Sequence, residues 1–269
     1  MTAMTAALHA VNLRSSRRRS APVKAFRSKV MALWYCAVTL AAVFTINWAY
    51  QVFRKPGELL APFSAAFSKS PEATWQSYGS LFQKHSTEIL SPEFLAALAQ
   101  VESSGNPLAG TYWQWQWSWN PLEIYRPASS ALGMYQITDG TFAEARRYCL
   151  RNQQVISEGP WHDLGSCWFN SFYLRTLPSH ASELTAAHLH RSVITTLAAH
   201  GTPRASLAQK QRLAAVIHLC GKQRGARFVR RDFRVTPAER CGDHSLSGYL
   251  KKVELMKKRF ARLRKSSLP

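Results

Sequence analysis

The sequence predicts a mainly α domain that contains a small extended insertion and is preceded by one transmembrane helix. Three observations lead to this fold class. Residues 30–53 contain no charged side chain, apolar residues recur at helical spacing through much of the later chain, and four tryptophans alternate within residues 111–121. The first pattern is typical of a membrane-spanning helix, the second of amphipathic helices and the third of a strand.

The segment 30–53 is long enough to cross a bilayer as one helix. At about 1.5 Å per residue it spans about 36 Å, slightly more than the hydrocarbon core. Aromatic residues that suit the two interfaces lie near its ends: Trp34, Tyr35, Trp48 and Tyr50. Seven Lys and Arg residues precede it, which predicts a cytoplasmic N-terminus and an exported remainder. A buried core helix and a cleaved signal peptide are the alternatives, but the segment is long for the first and no Ala-x-Ala site follows for the second.

The formal charge of +20 is concentrated at the two ends of the chain. Residues 1–57 have nine Lys and Arg and no acid, residues 58–221 have eleven of each sign, and residues 222–269 have fifteen Lys and Arg against four acids. A nucleic-acid reader more often has its basic patch on the folded reader itself. Together with the predicted export, this distribution argues against nucleic acid as a partner.

Cysteine usage agrees with export. Cys36 lies in the predicted membrane span, and four cysteines remain, an even number that predicts two disulfides in an oxidising compartment. Three pairings are open, and we favour the two that close short neighbouring loops, Cys149–Cys167 and Cys220–Cys241. A metal site that combines the second pair with His244 is the alternative, but there is no Cys-x-x-Cys pair. We therefore expect neither a metal nor a cofactor.

Four regions follow from these patterns: a basic cytoplasmic tail (1–29), a transmembrane signal anchor (30–53), a proline-containing linker (54–71) and a folded domain with a basic C-terminal helix (72–269). Within the domain, helices are predicted over 72–84, from Ser91-Pro92 to Gly105, from Thr141 through 150, over 180–199, over 203–219 with Thr202-Pro203 as its cap, and over 247–264. The alternating tryptophans predict a strand between the second and third helices. Residues 222–240 are predicted to form a basic loop.

Glu102 is the candidate catalytic residue. It follows Leu98 by four positions at the end of a predicted amphipathic helix, and Gly105 and Pro107 end that helix. A carboxyl on the apolar face of a helix loses hydration, and burial favours the protonated form that a general acid needs. A solvated glutamate at a fraying helix end is the alternative.

Three short motifs place this glutamate in a family context. Residues 102–107, ESSGNP, resemble the Glu-Ser-x-x-Asn-Pro motif of lytic transglycosylases of the soluble-lytic-transglycosylase type, in the lysozyme superfamily. Residues 129–137, SSALGMYQI, resemble the second motif, Ser-x-Ala-x-Gly-Leu-Met-Gln followed by an aliphatic residue. Residues 249–253, YLKKV, are similar to the closing Tyr-x-x-Lys-Val. The match spans about residues 75–255 and implies a lysozyme-like helical fold.

The resemblance implies cleavage of peptidoglycan between N-acetylmuramic acid and N-acetylglucosamine without water, by Glu102 acting first as acid and then as base. By motif position, Ser129 and Gln136 would hydrogen-bond the sugar, Met134 would line the cleft and Tyr249 would orient Glu102. The resemblance and the predicted export together imply a location on the periplasmic side of a bacterial inner membrane. A secretion or conjugation apparatus is a candidate partner, because such enzymes often open local gaps in the wall. The tryptophans could stack on sugar faces.

The chain departs from the family pattern at residues 217–221, where IHLCG replaces the usual Ala-Tyr-Asn-Ala-Gly. His218 occupies the position of the tyrosine that normally lies near the catalytic acid, so its contact with substrate is open. Two other functions also remain open: a water-using muramidase of the same fold, with Glu123 or Asp139 as its second carboxylate, and a catalytically silent glycan-binding scaffold.

Overall fold

The computed structural model describes residues 21–55, 64–163 and 165–266. Residues 1–20 of the predicted basic tail and residues 56–63 of the predicted linker lie outside these ranges. The chain divides into two compact units: one contains helix α1 (Ala21–Arg54) and Gln116–Tyr125, and the other contains Lys55–Trp115 and the chain from Arg126 onward. Eight α-helices and six short strands lie in the described part of the chain.

The first unit contains the predicted membrane segment. Helix α1 (Ala21–Arg54) begins earlier than residue 30 and is continuous to Arg54. Within the described residues, it is the one helix long and apolar enough to cross a membrane by length and composition, and only 6% of its apolar window is buried. The short 3-10 turn Pro121–Glu123 packs against α1.

The second unit begins with two helices whose starts the sequence predicts. Helix α2 (Pro71–Lys84) and helix α3 (Pro92–Ser103) each have Pro at their first position and a serine N-cap. The Ser91 hydroxyl accepts from the amide of Phe94, which satisfies one of the free N–H groups at the start of α3. Residues 94–99 of α3 are almost completely buried, so this helix forms the centre of the core.

The alternating tryptophans form less strand than predicted. Strand β1 covers only Trp113–Trp115 and pairs with β2 (Tyr125–Pro127) in a two-stranded sheet. Trp117 and Trp119 lie beyond the strand with fully exposed side chains. The pattern therefore predicts the extended start of the segment correctly and its continuation wrongly.

The helix predicted through residue 150 is also shorter than expected. Helix α4 (Asp139–Ala145) is followed by an antiparallel hairpin, β3 (Tyr148–Arg151) and β4 (Gln154–Ser157), in which Cys149 lies opposite Ile156. Asn152 and Gln153 form the turn, with φ of 49° and 65°. A two-residue turn with positive φ joins twisted antiparallel strands well, which explains why a hairpin replaces the helix.

The C-terminal half is helical, with two corrections to the sequence prediction. Helix α5 (Pro178–Ala199) is followed by α6 (Leu207–Cys220), which begins at a capping box formed by Ser206 and Gln209 and not at Thr202-Pro203. The predicted basic loop contains helix α7 (Lys222–Arg230), which turns Phe228 and Val229 into the core. A pair of two-residue strands, β5 (Arg240–Cys241) and β6 (His244–Ser245), precedes the last helix.

Helix α8 (Leu246–Ser266) closes the unit by packing along α3. Tyr249, Val253 and Phe260 form its buried stripe, at the spacing that the sequence predicts. Two of its basic residues bind acids on the N-terminal helices: Arg259 pairs with Glu72 and Arg264 with Glu93, each at 2.7 Å. Part of the positive charge at this end therefore fixes α8 to α2 and α3.

Both disulfides have the pairing favoured from the sequence, Cys149–Cys167 and Cys220–Cys241. The first ties the β3–β4 hairpin to the 3-10 turn that begins at Trp168, and the second ties the end of α6 to β5. Because Cys220 and Cys241 are bonded to each other, their thiolates are not free to form the metal site with His244. No group of three or more His, Cys, Asp or Glu side chains is placed to hold a metal ion in the part of the chain that the structure describes.

Candidate active site

Glu102 lies in the last turn of α3, where the helix is stopped abruptly. Ser104 and Gly105 both have left-handed backbone, with φ of 55° and 65°. A Cβ atom on Gly105 would lie 2.3 Å from the Thr74 hydroxyl oxygen, so only glycine fits against α2 here. This turn leaves the Glu102 side chain 15% exposed, at the edge of the core and still within reach of solvent.

Two side chains from distant parts of the chain converge on one oxygen of Glu102. The Tyr249 hydroxyl of α8 donates a short hydrogen bond to Oε1. Burial, and then the nearby charge of Glu102, raises the pKa of Tyr249 well above its usual value, so this hydroxyl remains a donor. The His218 Nε2 atom of α6 lies 3.5 Å from the same Oε1.

The contacts of Glu102 have a chemical consequence. Oε1 is held by a phenol and an imidazole that are both nearly buried, so the carboxyl has a fixed orientation. Among the described residues, no hydrogen bond or ion pair engages Oε2. The second oxygen is therefore the one available to exchange a proton with a ligand.

The residues of the second motif form a tight loop behind the α3 terminus. A Cβ on Gly133, whose φ is 82°, would lie 2.2 Å from the Arg175 carbonyl oxygen, which requires glycine. The Gln136 Nε2 atom donates to the carbonyls of Ala109 (2.9 Å) and Gly133 (3.0 Å). The donors of Gln136 thus hold the loop together, and its carbonyl oxygen is the atom left to accept from a sugar hydroxyl.

The first two motifs are joined directly. The Ser103 hydroxyl, next to Glu102, donates to the carbonyl of Met134 at 2.8 Å. Met134 itself is completely buried in the core, so the prediction that its side chain lines the cleft does not hold. Its contribution is a backbone carbonyl that fixes the position of the C-terminal end of α3.

Ser129 lies at the exposed start of the second motif. Its hydroxyl oxygen accepts from the amide of Ala131 at 3.1 Å, and its backbone N–H donates to the Thr111 hydroxyl at 3.3 Å. The serine hydroxyl therefore caps a turn and keeps its own hydrogen for another acceptor. This geometry is compatible with the sugar-binding role that the resemblance implies and also with an ordinary role of this serine in the turn.

Sequence reasoning missed a second set of titratable groups next to His218. Burial lowers the pKa of His188 on α5 to about 4; the charge of Glu144 opposes this shift, and the charges of Lys222 and His218 add to it. The Nδ1 atom of His188 is buried without a hydrogen-bond partner. The side chains of Glu144 and Lys222 form an ion pair. Burial would raise the pKa of Glu144, but the hydrogen bond from Lys222 and the neighbouring positive charges lower it overall.

The two acids considered for a hydrolase are both engaged elsewhere. Glu123, in the first unit, forms an ion pair with Arg54 at 2.7 Å. Asp139 pairs with Arg175 at 2.7 Å. Asp139, which lies in the same unit as Glu102, makes no contact with it in the described ranges, so this unit brings together Glu102, His218 and Tyr249 but not Asp139.

One comparison with known families gives a match. Residues 80–159 match the family model described as the transglycosylase SLT domain. This part of the chain is similar to an SLT domain, which is lysozyme-like. The match runs from α2 to the end of the β3–β4 hairpin and includes Glu102, Ser129 and Gln136, whereas His218 and Tyr249 lie beyond it. No curated protein and no solved structure matches the chain.

The SLT domain supports a lytic-transglycosylase-type function that acts on peptidoglycan. The structure also shows which helices beyond the matched range contact Glu102. Helices α6 and α8 lie outside that range and supply the two side chains, His218 and Tyr249, that contact Glu102. The SLT match therefore contains Glu102 but not the two side chains that contact it.

Proposed function

We propose that this protein is a membrane-anchored lytic transglycosylase that cleaves the bond between N-acetylmuramic acid and N-acetylglucosamine and leaves 1,6-anhydro-muramoyl ends. The observation that supports this proposal best is the surroundings of Glu102. A nearly buried tyrosine and a nearly buried histidine hold one of its oxygens, and no second carboxylate lies among its contacts with the described residues.

One carboxyl can perform both steps of such a reaction. Protonated Glu102 donates its proton to the glycosidic oxygen, the bond from that oxygen to C1 of the muramoyl residue breaks, and the N-acetylglucosamine leaves as an alcohol. The Glu102 carboxylate then accepts the proton of the muramoyl 6-hydroxyl, whose oxygen bonds to C1 and closes the anhydro ring. No water is consumed, and the carboxyl ends in the protonated form in which it began.

Tyr249 supports the charged half of this cycle. Its hydroxyl donates to Oε1 and so stabilises the carboxylate that exists between the two proton transfers. His218 lies on the same oxygen and, with only 10% of its side chain exposed, limits the directions in which the carboxyl can turn. Both residues thus position Glu102 for proton transfer through Oε2.

A muramidase of the same fold is the closest alternative. A retaining hydrolase ordinarily needs a second carboxylate about 5–5.5 Å from the acid. Glu123 and Asp139 are both held in ion pairs, and Glu144, which lies beside His188, is paired with Lys222. A silent scaffold is disfavoured because an oriented glutamate with a dedicated phenolic donor has no evident purpose in a binding module.

The membrane part of the proposal rests on α1 and its flanks. The helix is long and apolar enough to span a bilayer, and basic residues precede its uncharged stretch. By the positive-inside rule, a helix with basic residues before it has its N-terminus in the cytoplasm. We infer that the SLT domain then lies in the periplasm of a bacterial cell, where peptidoglycan lies. An enzyme anchored in this way would suit a secretion or conjugation apparatus that needs a local gap in the wall.

The variant Glu102→Gln tests the proposed acid. Glutamine keeps the shape and can still accept from Tyr249, but it cannot transfer a proton, so we expect loss of muropeptide release with unchanged melting temperature and unchanged wall binding. Glu254→Gln, an exposed glutamate on α8 paired with Lys257, is the matched control and should keep full activity. Mass spectrometry of products from purified wall gives the readout. Substantial release by folded Glu102→Gln protein would contradict the assignment.

A further inference from the structure

The last turns of α1 contact the segment Gln116–Tyr125 of the same chain through side-chain hydrogen bonds. Asn47 Nδ2 and Gln51 Nε2, which are one helical turn apart, both donate to the Leu122 carbonyl oxygen, at 2.8 and 2.7 Å. These two side chains are buried on a helix whose other side chains are mostly exposed. Beyond them, Arg54 pairs with Glu123 at 2.7 Å. The contacts form one row along the helix and lie within the same compact unit.

The position of this row along α1 sets its depth in a membrane, and this step rests on the proposed anchoring. Measured from Val30, Asn47 lies about 26 Å and Gln51 about 32 Å along the helix axis. A hydrocarbon core of about 30 Å that begins near Val30 therefore ends between these two residues. Polar side chains at that level need partners, and the Leu122 carbonyl supplies one to both. The segment that contains Leu122 then lies where the acyl chains meet the headgroups.

The segment presents side chains that suit this level. Trp117 and Trp119 are fully exposed, and tryptophan is enriched at membrane interfaces because its ring is apolar and its N–H needs a polar partner. Glu123 is the segment's one charged residue, and Arg54 neutralises it. The turn also satisfies its own backbone: the Asn120 side chain accepts from the Leu122 amide at 3.1 Å.

We propose that Gln116–Tyr125 is a second membrane contact, in which Trp117 and Trp119 enter the headgroup region of the leaflet into which α1 emerges. A single helix rotates freely about its own axis in a bilayer. A tryptophan-bearing segment that is hydrogen-bonded to one side of that helix and held in the headgroup region would restrict this rotation. The occupant of this surface is phospholipid, and stacking of the two indole rings on sugar is the alternative that the experiment distinguishes.

The experiment measures membrane depth with nitroxide labels on the full chain in phosphatidylcholine vesicles. Native Cys36, which is exposed and free, is labelled in one sample to report on α1. In the others, Cys36→Ser is combined with Trp117→Cys, Trp119→Cys or the control Trp161→Cys, an exposed tryptophan position outside the segment. Collision rates with oxygen, which concentrates in lipid, are compared with those of a water-soluble nickel complex.

We expect the oxygen-to-nickel ratio at positions 117 and 119 to shift toward oxygen relative to position 161, with the highest ratio at Cys36. Ratios at 117 and 119 equal to that at 161, while Cys36 is in lipid, would overturn this inference and leave the anchoring intact. A water-exposed Cys36 would overturn the anchoring as well. Labels at 117 and 119 that are aqueous alone and become immobilised when soluble glycan fragments are added would assign the tryptophans to sugar instead.

Discussion

Replacing Tyr249 with phenylalanine removes one atom from the proposed active site. The phenyl ring retains the packing of a residue that is 7% exposed, while the hydrogen bond to Glu102 Oε1 is lost. A hydrogen bond to a charged group contributes about 1.5–3 kcal/mol, and this donor matters most when Glu102 is a carboxylate. Since about 1.4 kcal/mol corresponds to a tenfold change in rate, we expect Tyr249→Phe to lower kcat about 10- to 100-fold.

The assay is release of anhydro-muropeptides from purified wall, followed at several substrate concentrations so that kcat and KM are separated. KM should change little, because the Tyr249 hydroxyl is engaged by the carboxyl of Glu102. Tyr135→Phe is the matched control: Tyr135 is a fully buried tyrosine of the second motif whose hydroxyl contacts Ser182 at 3.3 Å. It should keep the wild-type rate. A wild-type kcat in folded Tyr249→Phe protein, or equal losses in both variants, would refute this reasoning.

Two further predictions concern stability. The folded protein holds the pKa of His188 near 4, whereas the pKa of a histidine in an unfolded chain is about 6.5. As the pH falls, the unfolded state therefore takes up the proton first. The stability that is present above about pH 6.5 is lost as the pH falls toward 4. The loss in the free energy of unfolding is about 3 kcal/mol. His188→Gln should therefore flatten the dependence of the melting temperature on pH over that range. An unchanged slope would contradict a role of His188 in this pH dependence. Removing Cys220–Cys241 should cost about 2–5 kcal/mol and lower activity more than removing Cys149–Cys167, because Cys220 lies two residues from His218; equal activity losses would argue against that coupling.

The parts of the fold that the sequence predicts well are those with local, redundant signals. The start of α3 is marked by Ser91, Pro92 and an acid in the first turn, and the structure has this cap. The stripe on α8 is marked by apolar residues at helical spacing, and the structure buries it. In both cases a few neighbouring residues determine the element, so the pattern is sufficient.

The parts that the sequence mispredicts have signals that compete or are hidden by charge. The β3–β4 hairpin has an Asn-containing two-residue turn between two short runs, a signal present in the sequence but outweighed by the helical spacing before it. Helix α7 is so rich in Lys and Arg that its single apolar face, Phe228 and Val229, does not stand out. The capping box of α6 at Ser206 was also readable, as serine followed three residues later by glutamine.

The candidate site was predictable only in part, for a physical reason. Glu102 has a local signal, the end of an apolar helix followed by a glycine turn. The cluster around His188 has none, because its members come from α4, α5 and α7 and meet only when those helices pack. The buried position of Met134 is similarly invisible, since the motif gives its place in the chain and the packing decides which way its side chain points.

Cleavage of peptidoglycan by Glu102 without water is tested by digestion of purified wall in water enriched in heavy oxygen. We expect muropeptides that end in 1,6-anhydro rings, contain no heavy oxygen and are each lighter by one water molecule than hydrolysis products. Reducing ends that have incorporated heavy oxygen would contradict the proposed reaction and identify the enzyme as a muramidase.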